Sequence, residues 1–213
     1  MKLKHLIITV AASLIAVSAS AQMAIGIKGG ACGSWLPGTV LYAGNRVVPH
    51  PDLYGGVSFL ANVADNMILG AELLYAGRGH SDITTIGDSY SDKYSLNQGY
   101  LQLPVLVGFK ALNERFFLSA GPELNCLLFA KTSEKVNGIK APTEDVSKNC
   151  NPVMLGIVLQ ATFFVVDNLG IDVKFDWGVT RTFKKGVFDH IPGVNEKSHN
   201  VSVQLGVCYY FEL

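Results

Sequence analysis

The stretch Val201-Ser202-Val203-Gln204-Leu205-Gly206-Val207-Cys208-Tyr209-Tyr210-Phe211-Glu212 reads with a period of two. Val201, Val203, Leu205, Val207, Tyr209 and Phe211 fall on one face, and Ser202, Gln204, Gly206, Cys208, Tyr210 and Glu212 on the other. Successive side chains of a strand point to opposite faces, whereas a helix would scatter these two sets around its circumference. Ile171 to Thr180 repeats the pattern with charge. Ile171, Val173, Phe175, Trp177 and Val179 alternate with Asp172, Lys174, Asp176, Gly178 and Thr180.

Carried outward, the same reading predicts eight strands, near 23–32, 53–64, 67–78, 99–111, 116–131, 151–166, 169–184 and 198–212. Several are long enough for a tilted strand to cross a bilayer, which takes about 10 residues. Asp65-Asn66, Asn113-Glu114-Arg115 and Asp167-Asn168 read as tight turns. Between them lie long polar links near 33–52, 79–98, 132–150 and 185–197. Short and long connections alternate throughout. The pattern predicts an all-β fold, an eight-stranded antiparallel up-and-down transmembrane β-barrel with short turns at one end and long loops at the other.

Composition agrees with a membrane protein that has no spanning helix. The chain has 213 residues, 49% of them hydrophobic and 16% charged, with a formal net charge of zero. Mean hydropathy is +0.29. No basic excess exists to support nucleic-acid binding, and none is expected. The start of the chain reads as an address. Lys2 and Lys4 precede an apolar stretch, Leu6 to Ala19, and Ala19-Ser20-Ala21 follows as a small-x-small cleavage site. Residues 1–21 are therefore expected to be a cleaved signal peptide, and 22–213 the barrel.

Which face points inward decides between two architectures. A soluble lipocalin-like barrel turns its apolar face in, around a ligand; a membrane barrel turns it out. Gly26, Gly56, Gly70, Gly108, Gly121, Gly156, Gly178 and Gly206 lie mostly on the polar faces, where a narrow interior favours small residues. The same faces carry Lys28, Glu72, Lys110, Glu123, Asp172, Lys174 and Asp176, expected to form a paired lumen network, as buried charges require. Phe109, Phe116, Phe175, Trp177, Tyr209 and Phe211 sit on the apolar faces and suit interfacial girdles.

The central hairpin resembles a known family. Tyr100-Leu101-Gln102-Leu103-Pro104-Val105-Leu106 is similar to the "Y-L-x-(I/L)-P-(L/V)-L" strand of PorT-like outer-membrane β-barrel proteins, a family typical of Bacteroidetes. Phe117-Leu118-Ser119-Ala120-Gly121-Pro122 resembles its "F-x-L-x-A-G-P" strand, and Glu72-Leu73-Leu74-Tyr75 its "P-E-L-x-Y" strand, with Ala71 where proline is common. The chain ends in Leu213 rather than the usual aromatic residue. The resemblance implies an integral barrel of a Gram-negative outer membrane and transfers no catalytic residues.

Chemistry beyond the scaffold is sparse in the sequence. His50, His80, His190 and His199 read as loop residues. His80-Ser81-Asp82 and Asp189-His190 are the candidates for a rim enzyme, but solvated loop histidines are the expectation, and no catalytic, cofactor or metal site is assigned. Cys126 and Cys150 flank one loop, so a disulfide there and buried free thiols stand as alternatives. The function expected is a structural or surface-interaction role with a side-chain-filled lumen. Its partners are outer-membrane lipid and, through the loops, surface or periplasmic proteins, and the state expected is a monomer. A narrow solute channel and an exported soluble lipocalin-like binding barrel are the alternatives.

Overall fold

The computed structural model describes residues 23–37, 46–86, 90–112, 115–137, 139–186 and 198–212. Eight long strands make the wall: Met23–Trp35 (β1), His50–Ala64 (β2), Met67–Ile86 (β3), Tyr90–Ala111 (β4), Phe116–Val136 (β5), Val153–Val166 (β6), Leu169–Gly178 (β7) and Val201–Glu212 (β8). Each pairs antiparallel with the next. β8 then pairs back onto β1, from Ala24↔Glu212 to Trp35↔Val201. The sheet is thus a closed eight-stranded antiparallel barrel with no free edge.

Alternation sorts the two faces without exception through β7, where Asp172, Lys174 and Asp176 are buried and Ile171, Val173, Phe175 and Trp177 are exposed. Val203, Leu205, Val207, Tyr209 and Phe211 on β8 likewise face out, as do Leu155, Ile157, Leu159 and Phe163 on β6. This is the reverse of the soluble lipocalin-like alternative, whose apolar face would line the interior. The exposed band is bounded by aromatics. Trp35 and Trp177 flank Val201 at one level. Phe211, Tyr209, Phe109, Phe116 and Phe163 gather at the other end, with Phe116 opposite Phe163. Ten residues of tilted strand from Val201 to Phe211 rise about 25 Å, the height of the apolar belt of a membrane barrel.

Five strands are longer than their alternation suggests, β1 and β2 by three residues each and three others by more. β3 and β4 continue past the band, pairing from Arg78↔Gln98 out to Ile86↔Tyr90, and β5 continues to Val136. The expected polar link at 79–98 is therefore largely a projecting hairpin. Above the lipid level both faces are wet or packed on loops, so the period of two fades while the backbone ladder persists. The link at 132–150 adds two short strands on β5, Ile139–Lys140 and Glu144–Asp145, and a 3-10 turn at Ser147–Asn149. In contrast, β7 stops at Gly178 and β8 starts at Val201, both short of the expected ends.

The short turns are as tight as expected at Asp65-Asn66 and Asp167-Asn168. Asn113 and Glu114 lie outside the described residues; beside them, Leu112 takes a positive φ of 53° and its carbonyl accepts from Arg115 N–H at 3.3 Å.

Two inward glycines are required by close packing. A side chain at Gly26 would meet the Tyr210 ring at 2.6 Å. One at Gly206 would overlap the Tyr54 hydroxyl and the Gly29 backbone. Large inward tyrosines thus occupy space that glycines on β1 and β8 leave.

Candidate functional site

The candidate site is the lumen. Its lower charged layer is built from the middle of the wall. Glu72 on β3 accepts from Lys28 Nζ on β1 at 2.8 Å and from Lys174 Nζ on β7 at 2.8 Å, one lysine per carboxylate oxygen. Lys28 also lies 3.3 Å from Asp172 Oδ2, to which the Tyr54 hydroxyl donates at 3.1 Å. β3 and β7 stand on opposite sides of an eight-strand ring, so the Glu72–Lys174 contact spans the lumen.

A second layer lies above it. Arg78 Nη2 on β3 reaches Glu123 Oε1 on β5 at 3.1 Å and Asp176 Oδ2 on β7 at 3.3 Å. Ser202 Oγ donates to Asp176 at 2.8 Å. The Gln102 amide is 3.0 Å from that of Gln204 and 3.1 Å from Arg78 Nε; with its oxygen turned to the guanidinium it accepts from Arg78. The Arg78 guanidinium also lies 5.9 Å from the Tyr100 ring centroid. Every side chain in both layers is buried. Such ions persist only where partners offset the cost of removing them from water.

An apolar cluster lies toward each end of the lumen. Phe164, Cys208 and Tyr210, with Ala24, Leu60 and Phe117, form a floor at the short-turn end. Leu36, Leu96, Ala130, Cys150 and Phe183, with Leu127 and Val146, form a lid at the long-loop end. Beneath the lid, Leu36 N–H donates to His80 Nδ1 at 3.3 Å, which leaves the ring proton on Nε2, facing Asp82 Oδ1 at 3.1 Å.

Six of the seven expected lumen charges, Lys28, Glu72, Glu123, Asp172, Lys174 and Asp176, meet in these layers. Lys110 does not. It faces the same way, but it lies one residue from the end of β4, half-buried, with Nζ 5.9 Å from the Phe117 ring centroid. Arg78 takes the third cationic place in the network. Its signal was available: the inward parity of Glu72, Leu74 and Ala76 continues directly to Arg78.

His80 also departs from the expectation. It is 1% exposed and part of the wall, not a solvated loop residue. His80 and Asp82 point inward while Ser81 points outward, so these three residues do not form a catalytic group. Ser81 Oγ instead lies 3.0 Å from His50 Nδ1 and 3.2 Å from Ser95 Oγ. His199 is half-buried beside β8, and Asp189 and His190 lie outside the described residues. Cys126 and Cys150 are free thiols. Cys126 shares the outward parity of Leu124, whereas Cys150 is buried in the lid, so the wall separates them. Among the described residues no group of His, Cys, Asp and Glu is arranged to hold a metal ion.

Solved structures of similar fold include the attachment invasion locus protein Ail of Yersinia pestis, at 11% identity and TM-score 0.46, covering 89% of this chain and 99% of that one. The outer membrane protein OprG of Pseudomonas aeruginosa is 15% identical with TM-score 0.40, covering 91% of this chain and 98% of that one. CarO of Acinetobacter baumannii is 11% identical with TM-score 0.42, covering 85% and 97%. No curated protein matches the chain. The family model described as the outer membrane protein β-barrel domain matches residues 19–184, most of the wall, and the chain belongs to that family.

Proposed function

We propose that this protein is a closed, side-chain-filled barrel of the Gram-negative outer membrane, with a structural or surface-interaction role carried by its long loops. The observation that carries this reading is the lumen: two ion-paired layers between an apolar floor and an apolar lid. An interior of eight strands has room for little more than its own side chains. The PorT-like resemblance of the central hairpin supports the same reading and narrows the family. In this account residues 1–21 direct export and are removed, the short turns face the periplasm, and the barrel works as a monomer with lipid as its surroundings.

Planar-bilayer recording tests the closed lumen. Purified protein should insert without stable ohmic steps; reproducible steps from homogeneous protein would sink the reading in favour of a narrow channel. That second reading has one observation behind it. Glu123 Oε2, Asp172 Oδ1 and Asp176 Oδ1 have no protein hydrogen-bond partner among the described residues, and a file of water would satisfy them. Mass spectrometry of the exported protein should give a chain beginning at Gln22; an intact Met1 would remove the signal-peptide assignment.

A further inference from the structure

Lysines stand side by side on the outer wall, above the apolar band. Lys93 on β4 is directly opposite Lys135 on β5, and Lys135 is directly opposite Lys140 on the short strand beside it. All three are exposed. Directly opposed residues share a face, with Cβ atoms about 5 Å apart, and like charges so placed repel. Lys131 lies on the same face four residues below Lys135, with Nζ 5.8 Å from the Phe129 ring centroid. Its register partner is Asp145, whose carboxylate accepts from Ser147 N–H at 2.9 Å and is held below the ordinary aspartate pKa. Glu134 and Glu144 take the opposite parity, as neighbours of Lys135 and partner of the inward Thr132. Among the described residues Lys93, Lys135 and Lys140 therefore have no carboxylate partner.

We propose that this lysine row is a binding site for phosphate groups of the surrounding outer-leaflet glycolipid, its headgroup and inner core sugars. Position selects this occupant over a soluble polyanion. The column Leu124, Cys126, Phe129, Lys131, Lys135 runs up the outer face of one strand, from lipid-facing wall into charge. Six residues separate Phe129 from Lys135, about 15 Å of height on a tilted strand. That reaches the headgroup and core-sugar level, near the tips of the projecting strands and on their outward face. Lysine suits the task, because flexible ammonium groups meet phosphates of variable position without the fixed geometry that arginine imposes. An anion shared between neighbouring lysines also removes their mutual repulsion.

The inference rests on the proposed orientation, with the long loops outside, and not on whether the lumen conducts. The experiment titrates the purified full chain, in zwitterionic detergent, with rough lipopolysaccharide or the same material chemically dephosphorylated. The triple variant Lys93→Gln, Lys135→Gln, Lys140→Gln should bind the phosphorylated form at least tenfold more weakly than wild type. Wild type should bind the dephosphorylated form as weakly, and Lys185→Gln should match wild type. A triple Lys→Arg variant should keep most of the affinity, and heat-dependent gel mobility reports folding of each. If the triple Gln variant does not fold, Lys135→Gln alone should weaken binding severalfold. Equal affinity of the Gln variant and wild type overturns the site. Lysine-dependent binding of soluble heparin, with no preference for phosphorylated glycolipid, overturns the assignment to lipid.

Discussion

Glu72 shows what a single lumen residue is asked to do. One carboxylate serves two ammonium groups on different strands, and all three are buried. Replacing it with glutamine leaves Lys28 beside Asp172 but removes the one carboxylate that, among the described residues, pairs with Lys174 Nζ. Uncompensating a buried ion costs about 3–5 kcal/mol. Lys110→Gln should cost well under about 1 kcal/mol, since that side chain is half-exposed at the barrel end. Denaturant unfolding in detergent compares the two, and similar losses would mean that the depth assignment is wrong. Lys110 also marks what alternation can tell. Parity gives the face a residue points to, which it gave correctly here, but not its depth. Depth depends on where the turn falls and where lipid ends. Cys126 is the converse case, because its parity with Leu124 already places it outside the barrel, whatever its distance along the chain from Cys150.

At the scale of the strand, facing has a measurable energy. Leu205 lies near the middle of the β8 band and is 55% exposed. Leu205→Arg should destabilise the folded barrel by about 2–4 kcal/mol, the cost of arginine at the bilayer midplane. Equilibrium folding into lipid vesicles measures it, and a cost near zero would mean that this face is not lipid-facing. The projecting β3–β4 hairpin makes a different prediction. Ser95, Asn97 and Gln98 lie between two paired strands, in register with Ser81, Gly79 and Arg78 on one side and Ser133, Lys131 and Ala130 on the other. Hydrogen exchange there should be slowed to the rate of wall strands; exchange within seconds would restore the loop reading. The eight strands were legible because lipid on one side and a polar lumen on the other force alternation. Beyond the band that asymmetry ends, so Ser81, Asp82, Ser95 and Asn97 look like loop residues although their backbone remains paired. Arg78 was lost at the same boundary, between two glycines.

For the whole molecule, closure and plugging are separate achievements. Closure comes from β8 meeting β1 in full register, and it satisfies the backbone in a medium that offers no hydrogen bonds. The proposed plug has four tiers: floor, two charged layers, lid. The tiers are not equivalent barriers. The lid is apolar and partly built from residues outside the strands, Leu36 and Cys150 among them, and the floor is built from inward strand residues. The charged layers are cross-braced through Glu72–Lys174 and Arg78–Asp176 between opposite sides of the ring. Opening the lid alone should therefore leave the barrel closed to ions. Leu36→Ala with Phe183→Ala removes its aromatic member and the leucine that lies outside the strands, while leaving both salt-bridged layers intact. In planar bilayers the double variant should show no conductance above wild type. Adding Arg78→Ala would unbrace the upper layer and leave Glu123 and Asp176 facing each other, and any conductance should first appear there. Steps already present in the lid variant would mean that ions pass the charged layers, and the closed reading would give way to a lid-gated narrow channel.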